Sequence, residues 1–456
     1  MRAAVLAIAL VVSTSNAATA EPAKFKATLA GHAVLPAATS IAPPADAPAD
    51  LKISGRFTAP DGRRVDTVGA IEGTSFLSAK AAPRKTGFRT PIDGQPVQGF
   101  SGIKAVGDGN YWVLTDNGFG AKANSPDAML MFHKVRPDWA SSKVERSATF
   151  FLHDPDRKVP FRIANDATEK RYLTGADFDP ESIQPMGAEI WFGDEFGPYL
   201  IKTDMQGKVL AVVETMVDGK LARSPDHFAV ATPAVPGGPI AFNVRRSRGY
   251  EGMAASKDGN LLYPLLEGPL WDAEAKDWEK VDGKEVLRVL EFSVADSKWT
   301  GRHWKYPLEV AGNNIGDFNM IDATTGLVIE RDNGEGTADK ACPADKLAVD
   351  CFNVPARFRR IFKIEMSDGN AGGLVRKIGY IDLMDIDDPK KVAVQGGSGG
   401  KFTFPFVTIE NVDVVSATQI IVANDNNFPY SAGRDPQKQD DNEFILLDVA
   451  ELLKAQ

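Results

Sequence analysis

Short apolar runs, each closed by Gly, Asp or Asn, follow one another along most of this chain. The clearest case is residues 99–120, GFSGIKAVGDGNYWVLTDNGFG. An apolar entry leads to a polar turn at Gly107-Asp108-Gly109-Asn110, then to the apolar run 111–114, then to Asp116-Asn117-Gly118. This pattern predicts a β-hairpin followed by a loop that carries a carboxylate and an amide. It returns at 179–197 (DPESIQPMGAEIWFGDEFG), 249–268 (GYEGMAASKDGNLLYPLLEG), 315–334 (IGDFNMIDATTGLVIERDNG) and 408–427 (TIENVDVVSATQIIVANDNN).

Each copy opens on a small or acidic residue (Ser101, Glu181, Glu251, Asp317, Glu410) and closes on an acidic one (Asp116, Asp194 with Glu195, Glu267, Asp332, Asp425). Opening and closing residues stay 14 to 16 positions apart, taking Glu195 for the second copy. Such constancy puts both ends of every hairpin on one sheet edge and gathers the carboxylates on one face. Repeated hairpins signal a repeat architecture. Further apolar pairs at 129–153, 199–217, 288–306 and 360–383 read as outer hairpins. Only the closing VAELLKAQ is rich in helix formers. The chain is therefore expected to be an all-β propeller spanning 51–456, with long inter-blade loops. Six blades are expected, the sixth a degenerate unit at 51–80 with a turn at Asp61-Gly62. Residues 21–50 hold one strand and a Pro/Ala-rich linker, and ring closure should pair that N-terminal strand with C-terminal ones.

Three features bound the setting. Residues 1–20, MRAAVLAIALVVSTSNAATA, combine one basic residue, an apolar run and an Ala-Thr-Ala end, which predicts a signal peptide cleaved near Ala20 and a periplasmic or secreted protein. No later run is long enough to span a membrane. The net charge of −9 argues against nucleic acid as a partner and suits a protein that holds cations or, more commonly, one kept soluble by its charge. Cys342 and Cys351 are the only cysteines, and in an oxidising compartment they are expected to form a local disulfide.

The candidate chemistry lies in the repeats. Asp116, Glu195, Glu251, Asp332, Glu410 and Asp425 are hard oxygen donors suited to Ca2+ or another hard divalent cation. Glu251 follows an arginine cluster, so Glu251, Arg246 and Glu181 are the candidate catalytic residues. Arg245, Arg331 and Arg434 are candidate binders of substrate phosphate. The GSG within GGSGG at 396–400 precedes a strand-like segment and lacks the helix of a nucleophile elbow. P-loop, dinucleotide and HExxH motifs are absent from the sequence.

The FSGI…DNG unit, DPESI…GDEFG, the RGYEG unit and IENVD…NDNNFP, in this order and spacing, resemble the bacterial phytase-like domain family, described as having esterase-like activity of phytase. The resemblance covers residues 85–450. It implies a secreted β-propeller and a metal-dependent phosphoester hydrolase acting on a small-molecule substrate. A metal-dependent lactonase or carboxylesterase, or a non-catalytic propeller binding an envelope ligand, remain the alternatives.

Overall fold

Every repeated stretch forms two neighbouring antiparallel strands, because its apolar runs, buried on both faces in the second strands, are separated by turns that carry Gly, Asp or Ser. The computed structural model describes residues 21–58, the backbone of 71–74, and residues 85–231, 235, 241–344, 346 and 348–456. The expected signal peptide lies outside them. Blade 1 comprises Phe100–Ala105, Tyr111–Thr115, Met131–Asp138 and Lys143–Phe151. Blade 2 comprises Pro180–Met186, Glu189–Asp194, Tyr199–Asp204 and Val209–Glu214. Blade 3 comprises Tyr250–Ala255, Leu261–Leu266, Lys284–Ser293 and Lys298–Pro307. Blade 4 comprises Asn314–Met320, Thr325–Arg331, Arg359–Glu365 and Arg376–Asp382. Blade 5 takes Ile409–Val414, Gln419–Asn424 and Asn442–Asp448 from the C-terminal part of the chain and its fourth strand, Thr28–Leu35, from the N-terminal part. The expected closure between the two ends is thus present.

The inner strands of blades 1, 2, 3, 4 and 5 each pack beside the next, and the inner strand of blade 5 packs back onto that of blade 1. The propeller closes with five blades among the described residues, where the sequence suggested six. No gap between neighbouring inner strands is left for another blade. The described parts of 51–80 instead make small ladders off the ring: Ile53–Ser54 with Ile92–Asp93, and Ile71–Thr74 with Lys85–Thr90. The rest of that stretch, including Asp61-Gly62, falls outside the described residues.

Each gap between blades is filled by its own apolar cluster. Leu114, Phe132, Ile183 and Phe192 fill the gap between blades 1 and 2, and Trp191, Met253, Leu262 and Phe292 that between blades 2 and 3. Ile329, Ile361, Ile409 and Ile445 join blades 4 and 5. No blade buries its faces alone, so the ring is the unit of stability. Cys342 and Cys351 are disulfide-bonded, as expected. No helix of the described residues is long and apolar enough to cross a membrane.

The closing strand is pinned by charge. Glu443, on the strand that pairs with Thr28–Leu35, is fully buried. It accepts hydrogen bonds from Arg434 Nε at 2.8 Å and from Arg434 Nη2, and it lies 3.1 Å from His32 Nε2. Arg434, expected to bind phosphate, is therefore engaged in closing the ring. Burial pushes the Glu443 carboxyl up, but the Arg434 guanidinium, its hydrogen bonds and His32 outweigh burial and bring it down to about 2. A carboxyl lowered on folding stabilises the fold above its unfolded value, and that stabilisation is lost as the pH falls toward 2. Arg434→Ala is expected to destabilise the protein by about 3 kcal/mol at pH 7, because it leaves a buried charge unpaired. The deficit should shrink as the pH falls from 4 toward 2. Thermal melts of both proteins across this range test it, and equal melting temperatures at pH 7 would refute it.

Candidate functional site

One irregularity recurs in every inner strand. The register breaks after Phe100, Pro180, Tyr250, Ile315 and Ile409, which face Thr115, Asp194, Leu266, Glu330 and Asn424 on the second strands. A bulge re-aims the residue that follows it. The bulge residues are Ser101, Glu181, Glu251, Gly316 and Glu410. The residues one past the paired partner on the second strands are Asp116, Glu195, Glu267, Arg331 and Asp425. These two sets form a ring at one end of the central channel. In blades 1 to 3 small residues (Gly102, Ser182, Gly252) follow the bulges, where the inner strands converge. A Cβ on Gly102, which has a φ of +146°, would lie 3.0 Å from the Ser182 Cα.

In blade 4 the ring falls one position before the expected one. Gly316 and Arg331 occupy it, not Asp317 and Asp332, and their separation of 15 residues matches that of Ser101 and Asp116. Asp332 stands outside the ring. It bonds Arg359 and accepts from the amide groups of Gly334, Arg357 and Phe358. Burial raises its carboxyl, but Arg359 and these bonds outweigh burial and hold it below the usual range. Arg331 is the buried cation of the ring, with Nη2 donating to Glu410 Oε1 at 2.9 Å.

Carboxylates crowd the remaining positions. Oxygens of Asp179, Glu181 and Glu195 lie within 4.8 Å of one another, and so do those of Glu195, Glu251 and Glu267. All are buried, and Glu195 belongs to both groups. Asp179, unforeseen from sequence, is held by Asn117 Nδ2 at 2.7 Å and the Asn117 amide at 3.1 Å. Asp116 and Asp425 face each other across Gly99. Ser101 Oγ donates to Glu410 Oε2 at 3.2 Å, and Arg248 pairs with Glu267. Two guanidinium groups, Arg248 and Arg331, thus serve the carboxylates of Asp116, Asp179, Glu181, Glu195, Glu251, Glu267, Glu410 and Asp425.

The titration of these groups reflects the crowding. Burial, with Asp179 and Glu410, pushes the Asp116 carboxyl up to about 8. Burial first, then neighbouring carboxylates, hold Glu181, Glu195, Glu251 and Asp425 well above the ordinary range. Glu410 is also raised by burial, against the pull of Arg331. Glu251 Oε1 and Arg331 Nε are buried and without a hydrogen-bond partner among the described residues.

Three positions below the bulges lies a second polar tier. Asn319 donates through Nδ2 to the Ile103 and Val412 carbonyls and accepts through Oδ1 from Lys104 and Gln184, each at 2.9 Å. Lys104 also reaches Asp413 Oδ1 at 3.1 Å, and Gln184 the Met253 carbonyl at 2.6 Å. The tier ties all the blades together beneath the ring.

Of the residues singled out in the sequence, the structure brings together Glu181, Glu251, Asp116, Glu195, Glu410, Asp425 and Arg331. It does not bring in Arg245, Arg246, Arg434 or Asp332. Arg246 is exposed and paired with Asp226, and Arg245 lies over Trp278 and reaches Glu285 at 3.2 Å. A cavity of about 610 Å3 lies away from the channel. It lies on the rim of blades 2 and 3, and no ring carboxylate lines it.

A family model described as phytase-like, esterase-like activity of phytase, matches residues 95–428. An uncharacterized secreted protein of Arthroderma benhamiae is 26% identical over 114 residues, a match covering 23% of this chain and 22% of that protein. The luciferin-regenerating enzyme is similar at 9% identity and a TM-score of 0.30, over 77% of this chain and 92% of that one. The periplasmic gluconolactonase of Pseudomonas aeruginosa is similar at 12% identity and a TM-score of 0.31, over 83% and 99%. Likeness this slight has no bearing on activity.

Carboxyls raised on folding stabilise the metal-free fold at low pH, and that contribution is lost as the pH rises above about 4, for Asp116 toward its folded value of about 8. With chelator present, the melting temperature is expected to fall over this window. Ca2+ should restore it, by about 2.7 kcal/mol at a hundredfold excess over its dissociation constant. Glu195→Gln should weaken the Ca2+ effect, and Asp332→Asn should leave it intact. Calorimetric melts with and without Ca2+ decide it; indifference to Ca2+ at pH 8 would refute a cation site.

Proposed function

The chain belongs to the phytase-like family, described as esterase-like activity of phytase, and from that membership we propose that it is a metal-dependent hydrolase of small phosphoesters centred on the ring. The observation that carries this reading is the convergence of buried carboxylates with two guanidinium groups at one end of the channel. The donor set fits a hard dication, for which Ca2+ is our assignment: all-oxygen, in two groups sharing Glu195. Glu195, Glu267 and Asp179 would hold it, beside Glu251 and Glu181, with Asp116, Glu410 and Asp425 completing the anionic wall. Bound there, the ion supplies counter-charge and Lewis acidity toward an ester oxygen.

The remaining roles belong to side chains. Arg331 and Arg248 orient the non-reacting phosphate oxygens by charge-assisted hydrogen bonds. Glu251 takes a proton from the attacking water at Oε1. A carboxyl raised by burial and like charge suits this role, since it is a stronger base than an ordinary carboxylate. Glu181, raised by the same causes, delivers a proton to the leaving oxygen. Residues 1–20 and the disulfide support action in the periplasm or outside the cell.

One observation favours a second reading, an uncharged lactone or carboxylester as substrate. Arg331 is already paired with Glu410, and Arg248 with Glu267. Guanidinium groups neutralised in this way leave less positive charge for a phosphate.

A phosphomonoester, a lactone and a simple carboxylester, each assayed with and without chelator, separate the readings. Glu251→Gln is expected to lower kcat for the preferred substrate by about a hundredfold or more. Arg331→Gln should raise KM for the phosphomonoester alone. If Arg331→Gln spares phosphoester turnover while lactone turnover follows Glu251, the lactonase reading replaces the first. If all three substrates are inert while Ca2+ still binds, the protein is a binding module.

A further inference from the structure

The loop that leaves blade 1 after Asp116 runs along the Asp179–Glu195 side of the ring. Asn117 grips Asp179 through its side-chain and backbone amides. Its Oδ1 accepts from the amides of Phe119 at 3.1 Å and Gly120 at 2.7 Å, so the residue that holds a ring carboxylate also shapes the loop. The Phe119 amide donates to Ser125 Oγ as well, at 3.2 Å, and the Asn124 amide to the Ala121 carbonyl at 3.0 Å. Residues 117–125 are thus a braced turn built onto the ring.

This turn carries Lys122, which is half-buried. Its ammonium lies 5.0 Å from the centre of the Phe196 ring and 5.8 Å from that of Phe161. Phe196 is buried and directly follows Glu195. The ammonium also donates to the Asp226 carbonyl at 3.1 Å. Two aromatic rings and a carbonyl hold a long side chain in one place, so part of the ordering cost of binding through it is already met in the fold.

None of these partners neutralises the charge. The Asp226 carboxylate is taken by Arg246, and Lys122 forms no ion pair among the described residues. Arg331 and Arg248, by contrast, are paired with Glu410 and Glu267. A fixed ammonium with donors to spare suits an anionic oxygen. The reacting phosphate falls to Arg331 and Arg248, which leaves Lys122 for a charge elsewhere on the substrate.

We propose, resting on the phosphoester reading of the ring, that Lys122 sets specificity there by taking a second anionic group carried by the alcohol part of the substrate. Glycerol 3-phosphate and 3-phosphoglycerate are matched in size and differ by one carboxylate. Both are titrated by calorimetry into the whole, Ca2+-loaded protein carrying Glu251→Gln, which slows turnover. 3-Phosphoglycerate is expected to bind about tenfold more tightly than glycerol 3-phosphate. Lys122→Met should remove that advantage, and Lys122→Arg, which restores the charge, should recover most of it. A merely structural lysine would show no such selective loss and rescue. In the active protein, Lys122→Met should raise KM for 3-phosphoglycerate by about tenfold, with kcat held within about twofold. Equal binding of the two ligands, or an advantage that survives Lys122→Met, would overturn the proposal. An advantage kept by a protein that hydrolyses neither ester would uphold Lys122 as an anion site and sink the hydrolase reading instead.

Discussion

Carboxylates brought within 4.8 Å of one another in a buried place cannot all be ionised unless positive charge stands among them. That constraint governs the top of the channel. Arg331 and Arg248 answer part of it, and protonation or a cation must answer the rest. The architecture around the ring serves to hold it in place. Bulges aim the side chains, small residues such as Gly102 let the inner strands approach, and the amide tier at Asn319 fixes the strands from below. Removing such crowding would relieve repulsion, so its presence points to use and not to stability.

Much of this was legible in the chain because a hairpin of constant length carries its chemistry to a constant place. Glu181, Glu251 and Glu410 open their hairpins, and Asp116, Glu195, Glu267 and Asp425 close them, as the spacing implied. The fourth copy shows the limit. The acidic letters of Asp317 and Asp332 kept the spacing while the backbone register had moved one residue, so glycine and arginine hold the ring positions there. A frame of one residue is set by where the bulge falls, and acidic letters on both sides of it look alike. Asp179 escaped notice because it lies before the bulge and is drawn in by Asn117 of another blade, a contact with no local signature.

The arginines illustrate a different limit. Proximity in sequence placed Arg245 and Arg246 beside Glu251, but the loop carrying them turns outward, to Trp278 and Asp226. Arg434, beyond the last repeat, is drawn to Glu443 instead. Charge in a loop follows its partner, and partners are a property of the fold. The blade count failed for a related reason: the turn chemistry of residues 51–80 promises a hairpin, and only the convergence of inner strands decides whether a hairpin joins the ring.

The marriage of Thr28–Leu35 to Asn442–Asp448 sets an order of events in the life of the chain. The strand needed to finish blade 5 is made early, and its partner is made nearly last. Until residues 442–448 emerge, Ala33 and Leu35 have no Phe444 to pack on, and the gap between blades 5 and 1 stays open. A growing chain can stack blades 1 to 4 as an arc that already gathers the carboxylates of blades 2 and 3, but the ring is complete only with Glu410 and Asp425 from the last blade. Closure of the site thus waits on the end of the chain, and a chain truncated before residue 442 would carry every ring carboxylate without the strand that closes blade 5 around them.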